Sequence, residues 1–131
     1  MIGLDTNVLV RYIMQDDAKQ SPKATKFMES LTAGAPGFVS LISMVELGWV
    51  LSFSYGLTRD QLAQALDALL RTKEIVIDRA DVVLKALRVF NAGSADFADC
   101  LIERTGVAAG CDGTVTFDIG AAKTAGMTLI R

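Results

Sequence analysis

Short runs that are continuously apolar or β-branched alternate along the chain with longer segments whose apolar residues recur at helical spacing. The runs at 2–4, 37–40, 74–77, 114–117 and 128–130 predict strands buried on both faces. Between them the 3.6-residue pattern predicts helices near 7–14, 22–32, 41–54, 59–72, 80–91, 96–106 and 119–125. Pro22 after Ser21 and Gly56 after Tyr55 serve as punctuation. Strands separated by helices predict right-handed crossovers, hence a mostly parallel sheet with helices on both faces and a single α/β domain over 1–131. Ligands of such sheets gather at the carboxyl ends of the strands.

Composition narrows the chemistry. The 131 residues carry 13 basic and 15 acidic side chains, and the acids are 11 Asp and 4 Glu. There is no histidine. That excludes Ser-His-Asp and Cys-His nucleophiles, His-ligated zinc, and imidazole-based general acid–base cleavage of RNA. A net charge of −2 argues against electrostatic coating of nucleic acid but leaves room for a local basic patch or a metal-screened site. Cys100 and Cys111 lack a CxxC spacing and read as reduced thiols of a cytoplasmic protein. No targeting segment is expected. The apolar stretch 41–53 is too short to span a bilayer and contains Glu46.

The acids fall unevenly. Asp5 follows the first predicted strand and Asp118 the fourth, where Asp serves equally as a helix N-cap or as a ligand at the sheet edge. Glu46 is the sole charge between Glu29 and Arg59. Without a Lys or Arg nearby it is either a buried functional carboxylate or the Glu of a capping box begun by Ser43. Asp96, Asp99 and Glu103 lie within about 60° of one another on a helix, with Phe97, Ala98, Leu101 and Ile102 on the opposite arc. Stacked carboxylates repel, which a solvated face tolerates and a bound cation would relieve. Oxygen-only donors favour Mg²⁺ or Mn²⁺, which assist attack of water on a phosphate ester.

Four blocks carry a resemblance: Ile2-Gly-Leu-Asp-Thr-Asn-Val-Leu-Val-Arg-Tyr12 with Asp16-Asp17, Met44-Val-Glu-Leu-Gly-Trp-Val-Leu51, Ala95-Asp-Phe-Ala-Asp-Cys-Leu-Ile102, and Thr114-Val-Thr-Phe-Asp-Ile-Gly-Ala-Ala-Lys123. In this order, over nearly the whole chain and with an acid in each, they resemble a PIN-domain ribonuclease of the VapC toxin type. The resemblance implies a three-layer α/β/α sandwich, one PIN domain over 1–131, with a five-stranded, mostly parallel sheet in strand order 3-2-1-4-5. It implies an Mg²⁺- or Mn²⁺-dependent endoribonuclease with Asp5, Glu46, Asp99 and Asp118 as catalytic acids. Asp5 and Asp99 would hold metal most directly, Asp118 would complete the site or hold a second ion, and Glu46 would act through water. Asn7 and Thr116 would support the cluster, and Asp96 would serve as a supporting residue or a helix cap. Products would carry a 5′-phosphate and a 3′-hydroxyl. The implied partners are RNA, a VapB-type antitoxin and a second copy of the chain.

Arg11, Lys19, Lys23 and Lys26 are the cations nearest the site in sequence. The three lysines share one side of a helix and read either as RNA contacts or as solvated surface. Arg104 could pair with a carboxylate. Trp49, Phe53 and Tyr55 read by default as core, although exposure around Phe27, Leu31 or Trp49 would favour a partner surface. Competing readings fit less well. A dehalogenase-like phosphatase wants a second acid where Asn7 stands, a phosphorelay receiver wants a Lys after the last strand where Arg131 stands, and a non-catalytic PIN-like binding module should lack one of the four acids.

Overall fold

A computed structural model describes residues 1–131, which group into two compact units, Met1–Asp78 and Arg79–Arg131. In the first unit, strands β1 (Ile2–Gly3), β2 (Gly37–Val39) and β3 (Ile75–Ile77) form a parallel sheet with β2 in the centre. Ile2 pairs with Gly37, and Phe38 lies between Gly3 and Val76. Four helices accompany the sheet: α1 (Thr6–Met14), α2 (Gln20–Ser30), α3 (Leu41–Trp49) and α4 (Arg59–Leu70). Leu9, Val39, Met44, Leu47, Leu51 and Leu66 are fully buried and form the centre of this core. A Cβ at Gly37 would stand 2.7 Å from Leu4 Cδ1, so a larger residue there would force the Leu4 side chain to shift.

The second unit consists of α5 (Ala80–Ala92), α6 (Phe97–Ala108), the strands β4 (Val115–Thr116) and β5 (Thr128–Leu129), and α7 (Ile119–Thr124) between those strands. Helices α5 and α6 pack closely, with the Phe90 and Phe97 rings edge to face at 6.0 Å. This perpendicular arrangement favours aromatic pairs because ring edges are positive and faces negative. No helix of either unit is long and apolar enough to cross a membrane.

The α/β alternation matches the predicted pattern, and three features differ from it. First, the strands form two separate parallel sheets, β1-β2-β3 and β4-β5, in place of one five-stranded sheet. The segments 3-2-1 and 4-5 of the expected order are present, but β1 and β4 are only two residues long and their ladder bonds go to β2 and β5. Second, burial on both faces fails in β3 and β4. Val76 is 42% exposed within β3 and Val115 64% exposed within β4, so neither strand is buried on both faces, whereas the central β2 has no exposed residue. Third, the predicted helix 41–54 is α3 followed by a widened π-type turn over Val50–Ser54, in which Tyr55 N–H donates to Val50 O. Such widened turns are rare and often accompany functional sites.

Helix α2 starts at Gln20, two residues before the Pro22 start that the sequence predicts, because the Asp17 carboxylate accepts from the Lys19 and Gln20 amides at 2.9 and 2.7 Å. Those charge-assisted bonds also hold the Asp17 pKa below the ordinary carboxylate value.

Candidate functional site

In the first unit, Asp5 lies at the carboxyl end of β1 and caps α1, its Oδ1 accepting from Thr6 N–H at 2.8 Å. This is the N-cap geometry for which Asp is favoured, and it leaves Oδ2 without an internal hydrogen bond. The next residue, Thr6, is buried and its hydroxyl donates to Glu46 Oε1 at 2.8 Å. Glu46 is exposed, so the expectation of a buried carboxylate is corrected: the chain places it at the surface with a hydroxyl partner forty residues away. The capping-box alternative is corrected too. Ser40, and not Ser43, caps α3, and Glu46 turns toward α1.

Asp5, Thr6, Asn7, Arg11, Glu46 and Tyr55 line one cavity of about 520 Å³. On its rim Arg11 is held from three sides. Its Nε donates to Gln20 Oε1 at 2.8 Å, and its Nη1 donates to Asp16 Oδ1 and Tyr55 Oη, both at 3.2 Å. The Tyr55 hydroxyl in turn donates to Asp16 Oδ2 at 2.7 Å. This hydroxyl does most to hold the Asp16 carboxyl below its ordinary value; desolvation opposes it, and the residue's own amide and then the Arg11 guanidinium lower the value further. The stability carried by Asp16 is therefore present above the ordinary carboxylate range and lost as pH falls through its depressed value. Tyr55→Phe is expected to return the Asp16 pKa toward the ordinary 3.8. A carboxyl-carbon NMR titration reads this directly, and an unchanged midpoint would exclude the tyrosine as the cause.

In the second unit three acids gather around the start of α6. Asp96 caps it, Oδ1 accepting from Ala98 N–H at 2.7 Å. Asp99 sits in its first turn, half-buried. Asp118 caps α7, its Oδ1 accepting from Gly120 and Ala121 N–H at 2.7 and 3.2 Å. Thr116 Oγ1 accepts from Asp118 N–H at 3.0 Å and so fixes the residue's backbone. Burial first, then the negative charges of Asp96 and Asp118, raise the Asp99 pKa. The caps use one oxygen each, leaving Oδ2 of Asp96 and of Asp118 outside any internal hydrogen bond. Glu103, the third acid of the predicted stack, does not belong to this group. It is buried and clasped by Arg104, whose Nε donates to both carboxylate oxygens at 2.9 and 3.1 Å, with Nη2 completing the fork.

Each unit thus presents two of the four predicted acids: Asp5 and Glu46 on one cavity, Asp99 and Asp118 in one electrostatic group. No set of three or more Asp, Glu or Cys side chains converges closely enough to hold a metal ion by itself. The donors nonetheless fit a hard divalent cation. Mg²⁺ takes one or two carboxylates and completes its shell with water and substrate phosphate, and the repulsion on Asp99 is what a cation there would relieve. Asn7 lines the cavity without a hydrogen bond of its own, whereas Thr6, which periodicity assigns to nothing, makes the contact to Glu46. Lys19, Lys23 and Lys26 are exposed and form no ion pair. Trp49 and Phe53, expected in the core, are 49% and 73% exposed, and Tyr55 is held by polar partners. Asp16 with Tyr55, like Thr6 with Glu46, is a pairing that no sequence pattern marks, because the partners stand 39 and 40 positions apart.

Among protein-family models, the one described as PIN domain matches residues 2–127. No curated protein matches the chain.

Proposed function

We propose, for a chain that belongs to the PIN-domain family, the activity of an Mg²⁺- or Mn²⁺-dependent endoribonuclease that serves as the toxin of a VapBC-type toxin–antitoxin pair. The PIN domain is generally a nuclease fold; RNA as substrate, the metal and the toxin role are the proposal. The observation that carries it is the grouping of the half-buried Asp99 with Asp96 and Asp118, two helix caps that each keep one carboxylate oxygen outside any internal hydrogen bond, so that their charges and burial raise the Asp99 pKa. Structural acids are seldom arranged to repel, whereas perturbed carboxylates gather where a function needs them.

Asp5, Asp99 and Asp118 would hold the ion, and Glu46 would accept a proton from water or orient it. When bound, the cation acidifies water and neutralises charge on the scissile phosphate. The chain's own part is positional. Helix caps fix Asp5 and Asp118 on rigid backbone, and the Thr6 hydroxyl fixes the rotamer of Glu46. Thr116 supports Asp118 through its amide, Asp96 supports the start of the helix bearing Asp99, and Asn7 offers an amide at the cavity wall. With water as the nucleophile, in place of the ribose 2′-hydroxyl, the products would be a 5′-phosphate and a 3′-hydroxyl. A five-stranded order 3-2-1-4-5 and cytoplasmic action belong to the same reading. So do a VapB-type antitoxin and a homodimer, which the exposed apolar side chains Ile42, Trp49 and Phe53 support.

Purified protein is expected to cleave single-stranded RNA in Mn²⁺ and to lose that activity in excess chelator. Equal cleavage with chelator present, or none in any divalent ion by folded protein, would sink the proposal. Induced expression should arrest growth, and Asp5→Asn should relieve the arrest.

A further inference from the structure

We infer that a cavity of about 400 Å³ between α1 and α2 is a subsite for one unpaired nucleotide of the RNA, beside the phosphate presented to Asp5 and Glu46. The inference rests on the ribonuclease reading above but uses other residues. Leu4, Val8 and Ala24 supply an apolar floor, and Phe27 is 39% exposed at the edge. Lys23 and Arg11 are the charged residues of the lining, which contains no carboxylate. A nucleotide offers the complementary set: a flat apolar base and one phosphate charge.

Continuity with the acid cavity favours RNA as the occupant. Asn7 and Arg11 line both cavities, so a strand whose phosphate meets Asp5 and Glu46 passes directly over them. Arg11 is already fixed by Gln20, Asp16 and Tyr55 through Nε and Nη1, which leaves Nη2 to meet a phosphate. A guanidinium ordered before binding loses little entropy on contact. A base can enter such a cavity only when unpaired, and Phe27 offers it a ring on which to stack, as single-strand binders do. The subsite therefore selects single-stranded RNA and imposes a base preference at one position flanking the cut.

Two measurements test this. Metal-free full-length protein is titrated by amide NMR with each of the four nucleoside 5′-monophosphates, with inorganic phosphate, and with an acidic peptide carrying apolar side chains. At least one nucleotide should shift the Val8, Ala24 and Phe27 amides while inorganic phosphate leaves Phe27 unmoved. The surface variants Phe27→Ala and Lys23→Glu should each weaken that nucleotide about fivefold or more. Equal shifts with inorganic phosphate, insensitivity to Phe27→Ala, or a response to the peptide and to no nucleotide would each overturn the inference. Second, a randomised short RNA is cleaved in Mn²⁺, where the wild-type base preference beside the cut should flatten in Phe27→Ala. RNA cleavage without any response at the α1–α2 cavity would overturn the subsite and leave the ribonuclease reading standing. Nucleotide binding there by a protein that cleaves no RNA would do the reverse.

Discussion

Asp99→Asn is expected to abolish RNA cleavage and at the same time to stabilise the metal-free protein. Loss of a metal-holding carboxylate should lower the rate by more than about a hundredfold, since even residues one step removed from a metal cost about ten- to a hundredfold. The stability change has the opposite sign. Burial and the charges of Asp96 and Asp118 raise the folded pKa of Asp99 above the ordinary 3.8, so the folded chain binds this proton more tightly than the unfolded chain does. Stability therefore falls as pH rises from about the ordinary value through the raised one, and at neutral pH the whole penalty is present. An uncharged Asn removes it. Because Asp99 is only half-buried, solvent screening keeps the gain small, a few tenths of a kcal/mol, the size of a like-charge pair on a helix. The advantage of the variant should vanish at pH values below the ordinary carboxylate pKa.

Manganese supplies the third arm of the same experiment. A cation that binds only the folded state stabilises it in proportion to the logarithm of its concentration above Kd. Wild type should therefore gain melting temperature in millimolar Mn²⁺ and Asp99→Asn should gain much less. A variant that cleaves normally, or that is stabilised by Mn²⁺ as strongly as wild type, would remove Asp99 from the centre.

The sequence marks those features of the site that are local. Asp5, Asp96 and Asp118 each stand immediately before an apolar helical segment, and each is an N-cap in the structure, with one oxygen spent on the helix. Cap and ligand, weighed as alternatives on sequence grounds, are compatible at these residues because a carboxylate has two oxygens. Glu103 and Arg104 are neighbours in the chain, and their pairing was foreseeable from adjacency. Long-range partners were not foreseeable. The spacing Ser43 to Glu46 mimics a capping box, while the actual donor to Glu46 is Thr6, brought near by the packing of α1 on α3. Tyr55 reads as core from its aromatic neighbours, yet the widened turn before it delivers its hydroxyl to Asp16. The sheet division was hidden for a similar reason. Apolar runs locate strands, but the number of residues that enter a ladder depends on partners, and β1 and β4 extend for two residues each.

The largest stability effect is expected at a residue with no assigned chemistry. Arg104→Ala should destabilise the protein by about 2–3 kcal/mol, because it strips a buried Glu103 of the partner that makes its side-chain hydrogen bonds. Breaking a buried pair from one side costs about 3–5 kcal/mol. The lower figure applies here because the Arg104 side chain is 34% exposed, so water can reach part of the gap. In a chain of this length the loss corresponds to about 6–12 °C in melting temperature. Removing both members is the informative control. Glu103→Leu with Arg104→Met replaces the pair by apolar groups of similar size, leaves no orphaned charge, and should recover most of the loss. Helix α6 also carries Asp99 four residues earlier, so an intact pair keeps that helix seated while its first turn bears repelling acids. A chemical-denaturation midpoint for Arg104→Ala equal to wild type would show that water screens the pair as it does an ordinary surface bridge, and that the apolar contacts of Phe97, Cys100 and Leu101 suffice to hold the helix.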